Sequence, residues 1–230
     1  MLLFAKHRLM LRWWRILRQC ATRRCKSLTI NNAMRTLPSN QSHGIEIGDI
    51  VEFGAYDWRV LDLDGNYALI LTENIITRRD DLGGLTWESS SVRRYLNGHF
   101  YNEFLSEERV RIREVRLTNN NNQWFNRYAG INTVDKIFLL SIEEVVMYFG
   151  DSLLLQNKPS LDASHISDAF NNMRIAQHAD TGENVAWRLR SPGDGRFFSA
   201  VSQDGSINMA GYFSALDIGV RPALWLNLEN

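Results

Sequence analysis

The side chains that could do chemistry in this 230-residue chain are few and scattered. Three histidines follow the linker, His99, His165 and His178, far apart and in no ligand-spaced pair. A metal needs several ligands converging at set distances, so each histidine reads as a surface residue. Acids occur in pairs at Asp80-Asp81, Glu107-Glu108 and Glu143-Glu144. Adjacent residues on a helix diverge by about 100°, so these read as solvated faces or as first-turn acids favoured by the helix dipole. Asp62 and Asp64 flank a turn, and a lone D-x-D-G is too short for a calcium loop. Arg190 and Arg221 each precede a turn element in apolar surroundings. A buried guanidinium needs a partner or several carbonyls, so both read as ties between loops rather than ligand clamps. Phosphate-binding glycine loops, H-E-x-x-H and G-x-S-x-G are all missing from the sequence. The residues support no enzyme class.

The elements that must position these residues follow from local pattern. Tyr56 to Leu63 and Tyr67 to Thr72 are β-rich runs around Asp64-Gly65-Asn66, a hairpin signal. Ser89 to Asn97 predicts a short helix stopped by a left-handed Gly98. Asn102 to Val115 predicts a second helix. Thr118 to Asn132, with its run Asn119 to Asn122, predicts a long solvated loop. Lys136 to Leu140 is a buried run, and Ser141 to Glu144 a capping box for a helix ending before Gly150. Asp168 to Gln177 predicts another helix. Val185 to Leu189, Phe197 to Ser202, Ser206 to Met209 and Val220 to Asn227 predict strands, with a turn at Asp204-Gly205. Strands and helices are segregated, which argues α+β with a mostly antiparallel sheet. The first and last strands are expected to pair.

Charge divides the chain. Lys plus Arg and Asp plus Glu both number 26. Yet nine of the basic residues and none of the acids fall in residues 1–43, leaving 17 against 26 and a net charge of −9 from Gly44 onward. Leu2, Leu3, Leu9, Met10, Trp13, Trp14, Ile16 and Leu17 fill one arc of a helix, with Arg8, Arg12, Arg15 and Arg18 opposite. A basic amphipathic helix over residues 2–18 suits contact with an anionic membrane surface. It has equally the character of a mitochondrial presequence, or of upstream sequence translated ahead of a start at Met34. Arg and Lys interrupt any secretory apolar region, and no run reaches the ~18 apolar residues of a membrane span. The sequence therefore points to a cytoplasmic or peripheral membrane location. Cys20 and Cys25, the two cysteines of the chain, read as incidental thiols. The body's lack of cysteine excludes a disulfide scaffold, a zinc-thiolate site and a cysteine nucleophile there. Its acidity argues against nucleic-acid binding. The polar stretch Thr36 to Gly44 reads as a linker, giving a leader at 1–43 and a single domain at 44–230.

Several blocks resemble an uncharacterised bacterial family, domain of unknown function 6273. They are G-D-I-V-E-F-G-x-Y-D-W-R-V-L (Gly48 to Leu61), A-L-I-L-T-E-N-I-I (Ala68 to Ile76) and T-W-E-x-S-x-x-R-x-Y-L-N-G-x-F-Y (Thr86 to Tyr101). D-K-I-F-L-L-S-I-E-E-V (Asp135 to Val145) and the C-terminal L-R-S-P-G and G-V-R-P-A-L-W-L blocks complete the set. More distantly, the C-terminal pattern resembles the C-type-lectin-like group, which includes formylglycine-generating enzymes and the variable proteins of diversity-generating retroelements. That resemblance implies a C-type-lectin-like α+β domain. The cysteines, histidine cluster and calcium motifs of that group's enzymes and sugar lectins are missing here, so no cofactor, metal site or catalytic residue is assigned.

By the same resemblance, Trp187, Leu189 to Gly193, Gly205 and Gly219 to Leu226 form a framework. Between them Arg188, Asp194, Arg196, Phe197, Met209, Tyr212, Phe213 and Asp217 would face a ligand. The function this implies is non-catalytic binding of a protein or small-molecule ligand, with Tyr212 and Phe213 substantially exposed. Two other classes stand beside it: a metal-dependent enzyme of the wider fold group, and a module displayed at a membrane by the leader.

Overall fold

Alternating apolar residues build the first strands of the described chain. Ile50–Phe53 forms β1 and Tyr56–Asp64 forms β2, paired antiparallel with Val51 opposite Trp58. Trp58 is fully buried and donates its indole N–H to the Phe53 carbonyl at 2.8 Å. The chain reverses into β3, Tyr67–Thr72, through a turn in which Gly65 has φ +59°, a left-handed conformation that glycine adopts without a Cβ clash. This computed structural model describes residues 44–79, 84, 86–212 and 218–229. The helix expected over 2–18, Cys20, Cys25, Asp80, Asp81, Phe213 and Asp217 lie outside the described residues. The described residues belong to one compact unit, Gly44–Asn230.

β4 (Thr77–Arg79) is followed by a 3-10 turn at Trp87–Ser89 and by helix α1, Ser91–Asn97. The Ser90 hydroxyl caps α1 by accepting from the Val92 and Arg93 N–H groups at 3.2 and 3.3 Å. Gly98 does not take the expected left-handed stop; its φ is −117° and ψ −88°. The helix expected over Asn102 to Val115 is replaced by smaller pieces. A 3-10 turn at Phe100–Glu103 and a single helical turn, α2 (Ser106–Arg109), lead into β5 (Ile112–Arg113) and β6 (Val115–Leu117). Pairing of Ile112 with Leu226 and of Val115 with Asp135 outweighs local helix preference. β7 (Thr133–Asp135) pairs with β6, and β8 (Ile137–Phe138) precedes α3, Ile142–Phe149. The expected capping box starts α3: the Ser141 hydroxyl accepts from Glu144 N–H at 3.2 Å, and Glu144 Oε2 accepts from Ser141 N–H at 3.0 Å.

β9 (His165–Ile166) and the short α4 (Asn171–Arg174) come next. The helix expected from Asp168 to Gln177 shrinks to those four residues. Asp168 is not a helical residue; its carboxylate turns to Arg174 and to the Phe170 N–H. β10 (Trp187–Pro192), β11 (Phe198–Val201) and β12 (Ile207–Tyr212) are sequential antiparallel strands. The single strand expected over Val220 to Asn227 is two: β13 (Ile218–Val220) and β14 (Ala223–Asn227). Arg221-Pro222 separates them, and each joins a different sheet.

The first sheet runs β1-β2-β3-β14-β5, with β8 also paired to β14; the second runs β4-β13-β10-β11-β12-β9. β10 and β13 are parallel, while the other pairings among the described strands are antiparallel. The architecture is therefore α+β, mostly antiparallel. The first and last strands share a sheet but do not pair, because β2 and β3 lie between them. One continuous apolar core holds the fully buried Trp58, Trp87 and Trp187. Among the described residues no helix is long and apolar enough to cross a membrane.

Candidate functional site

One turn, two strands of the second sheet and the residues flanking β9 and β10 converge on a cleft of about 630 Å³. β9 and the residue after it contribute His165 and Ser167, and Ala186 precedes β10. The turn between β11 and β12 contributes Ser202, Gln203, Asp204 and Ser206, and Tyr212 ends β12. Pairing of Asn208 with His165 brings β9 alongside β12. A chain reversal at Asp204-Gly205 brings the hydroxyls into the same wall, with Val201 opposite Ile207.

The turn is locked from behind. Gly205 has φ +81°, and a Cβ there would lie 1.9 Å from the Asn171 carbonyl oxygen, so only glycine allows this approach. Asp204 Oδ1 accepts from the Ser206 N–H at 3.0 Å and from the Ser206 hydroxyl at 2.7 Å. These two bonds, with smaller help from His165, hold the Asp204 carboxyl below its ordinary value. The Tyr212 phenol donates to the Ser202 hydroxyl at 3.0 Å. Beneath β9, Arg174 is fully buried, pairs with Asp168 at 3.0 Å and donates to the Gly150 carbonyl at 3.0 Å. The Trp187 indole donates to the Arg174 carbonyl at 2.9 Å, tying this segment to β10. The cleft walls are thus fixed by packing and internal hydrogen bonds. Such a site suits binding with little ordering cost.

The eight expected contact residues do not form one patch. Tyr212 lines the cleft and is half-buried. Asp194 and Arg196 are exposed and Phe197 half-buried on the turn joining β10 to β11, at the other end of β11. That turn is held by Arg127, which donates to the Gly195 carbonyl at 2.7 Å. Arg188 and Met209 are instead buried, 2% and 0% exposed, and face no open surface. β10 lies inside the sheet with all six residues covered, so framework and exposed positions do not alternate along it. The Arg188 guanidinium sits 5.4 Å from the Phe198 ring. Phe213 and Asp217 lie outside the described residues.

The two remaining arginines are structural ties, as their context suggested. Arg190 donates to the Leu139 carbonyl at 2.8 Å and grips both Glu144 carboxylate oxygens, one of them at 2.8 Å. Arg221 donates to the Thr72 and Glu73 carbonyls at 2.8 and 3.1 Å, and burial pushes its pKa down to about 10. The Asn run is not wholly solvated. Asn122 is 1% exposed and donates to the Pro192 and Met209 carbonyls at 2.7 and 2.8 Å, holding the sequence's long loop against β10 and β12.

Sequence reading missed the cleft walls at His165, Ser167, Ala186, Ser202, Gln203 and Ser206. The turn S-Q-D-G-S carried a signal, since four oxygen-bearing side chains flank a glycine reversal. His165 carried none, because it reaches the cleft through a long-range strand pairing. Among the described residues no three His, Cys, Asp or Glu side chains gather as a metal set. A family model described as Domain of unknown function (DUF6273) matches residues 65–228, well over half the chain. No curated protein and no solved structure matches the chain.

Proposed function

The chain belongs to this DUF6273 family, and we propose that it is a non-catalytic ligand-binding module whose small-molecule ligand seats in the cleft between β9 and the β11–β12 turn. The observation that carries this reading is a concave polar pocket with pre-fixed walls. Concave sites with a few convergent polar groups are where small ligands bind. We read the fold as C-type-lectin-like; support comes from the mostly antiparallel α+β architecture and from the L-R-S-P-G and G-V-R-P-A-L-W-L blocks, which are largely buried.

The test is a thermal-shift screen of a small-molecule library on the wild-type protein and on Ser167→Trp, whose indole fills the cleft from an exposed position. A ligand at a hundred times its Kd is expected to raise the wild-type Tm by roughly 5–10 °C and leave the filled variant unmoved. Hits that stabilise both proteins equally would remove the cleft from the account.

A further inference from the structure

Within the cleft that the proposed function rests on, we propose that the ligand carries a protonated amine and that Asp204 is its anchor. The lining side chains hold one carboxylate, Asp204, and no lysine or arginine. Its contacts with Ser206 both use Oδ1, which holds that oxygen in the turn, so Oδ2 is the oxygen a ligand would meet. Gly205, pressed against the Asn171 backbone, keeps that carboxylate in place.

The chemistry follows from what covering Asp204 requires. The carboxylate is ionised near neutral pH, because the Ser206 hydrogen bonds favour its charged form. A neutral ligand seated over it would strip its water and return no charge, which is costly. An anionic ligand would meet the carboxylate with only the His165 imidazole, and no lysine or arginine, in the wall to offset it. An ammonium group instead forms a charge-assisted hydrogen bond, the strongest such contact available here. The hydroxyls of Ser202 and Ser167 and the Tyr212 phenol oxygen offer further acceptors for the remaining N–H groups.

The experiment titrates full-length protein with putrescine, 1,4-butanediol, glucose and acetate, reading the backbone amide shifts of residues 203–206 by NMR. Putrescine and butanediol have the same chain and differ in charge, so the comparison needs no variant. Putrescine is expected to shift these amides, with butanediol, glucose and acetate at least roughly ten-fold weaker. Asp204→Asn is expected to lose the putrescine response. A putrescine response kept in Asp204→Asn, or matched by butanediol, glucose or acetate, overturns the amine anchor and leaves the cleft as the ligand site. Amides that no probe shifts at tens of millimolar overturn the anchor and the cleft together.

Discussion

Arg190 places one guanidinium where the chain crosses between β10, the start of α3 and the loop after β6. It donates to Leu139, reaches the Thr118 carbonyl at 3.4 Å and pairs with Glu144, which also caps α3. Removing one partner of such a buried pair leaves the other uncompensated. Arg190→Ala is therefore expected to lower unfolding free energy by about 3–5 kcal/mol, measured by urea denaturation. Arg196→Ala, on an exposed turn, is expected to stay within about 0.5 kcal/mol. Asp168 supplies a pH prediction. Burial works against its charge, but Arg174, the Ser152 hydroxyl and the Phe170 N–H outweigh it, and the folded carboxyl lies below its ordinary value. A depressed folded value gives stability that is present at neutral pH. That stability fades as pH falls through the ordinary aspartate value and is gone below the folded one. The urea midpoint of Asp168→Asn should accordingly fall less between pH 6 and acid pH than that of wild type. Both arginine ties were legible from apolar context around a charged residue. Asn122 was not: a run of asparagines looks solvated, and its partners lie 70 and 87 residues away.

At the scale of the element, short-range chemistry was readable wherever a turn or cap fixes geometry by itself. The Gly65 hairpin and the Ser141–Glu144 box formed as their residues dictate. Ser141→Ala should cost about 1 kcal/mol in urea denaturation. The helix expected over 102–115 failed for a different reason. Apolar spacing there fits two periods, and a strand partner 114 residues downstream, Leu226 against Ile112, decides between them. The β11–β12 turn is the element on which the candidate site depends. Gly205→Ala meets both a left-handed φ and the Asn171 carbonyl. It is expected to cost at least about 1–3 kcal/mol, and to displace Asp204 even where the fold survives. Circular dichroism with amide shifts of residues 203–206 separates the two effects.

Across the whole molecule, two sheets share one core, and their long-range pairings bring the cleft together. Strand-rich ends and central helices, read from local pattern, announced α+β, although strands β5 to β9 interrupt the helices. The cleft was not announced. It exists because β9, a two-residue strand with no periodic signal, pairs with β12 and sets His165 near the Asp204 turn. We propose that ligand chemistry belongs to this cleft rather than to the exposed turn at Asp194 and Arg196. The direct measurement is an amide shift map of the isotope-labelled protein against a fragment library. Hits are expected to perturb residues 165–167, 186, 202–206 and 212 together. Hits that gather instead around Arg127 and residues 194–197, or that touch no residue of the cleft, would contradict it.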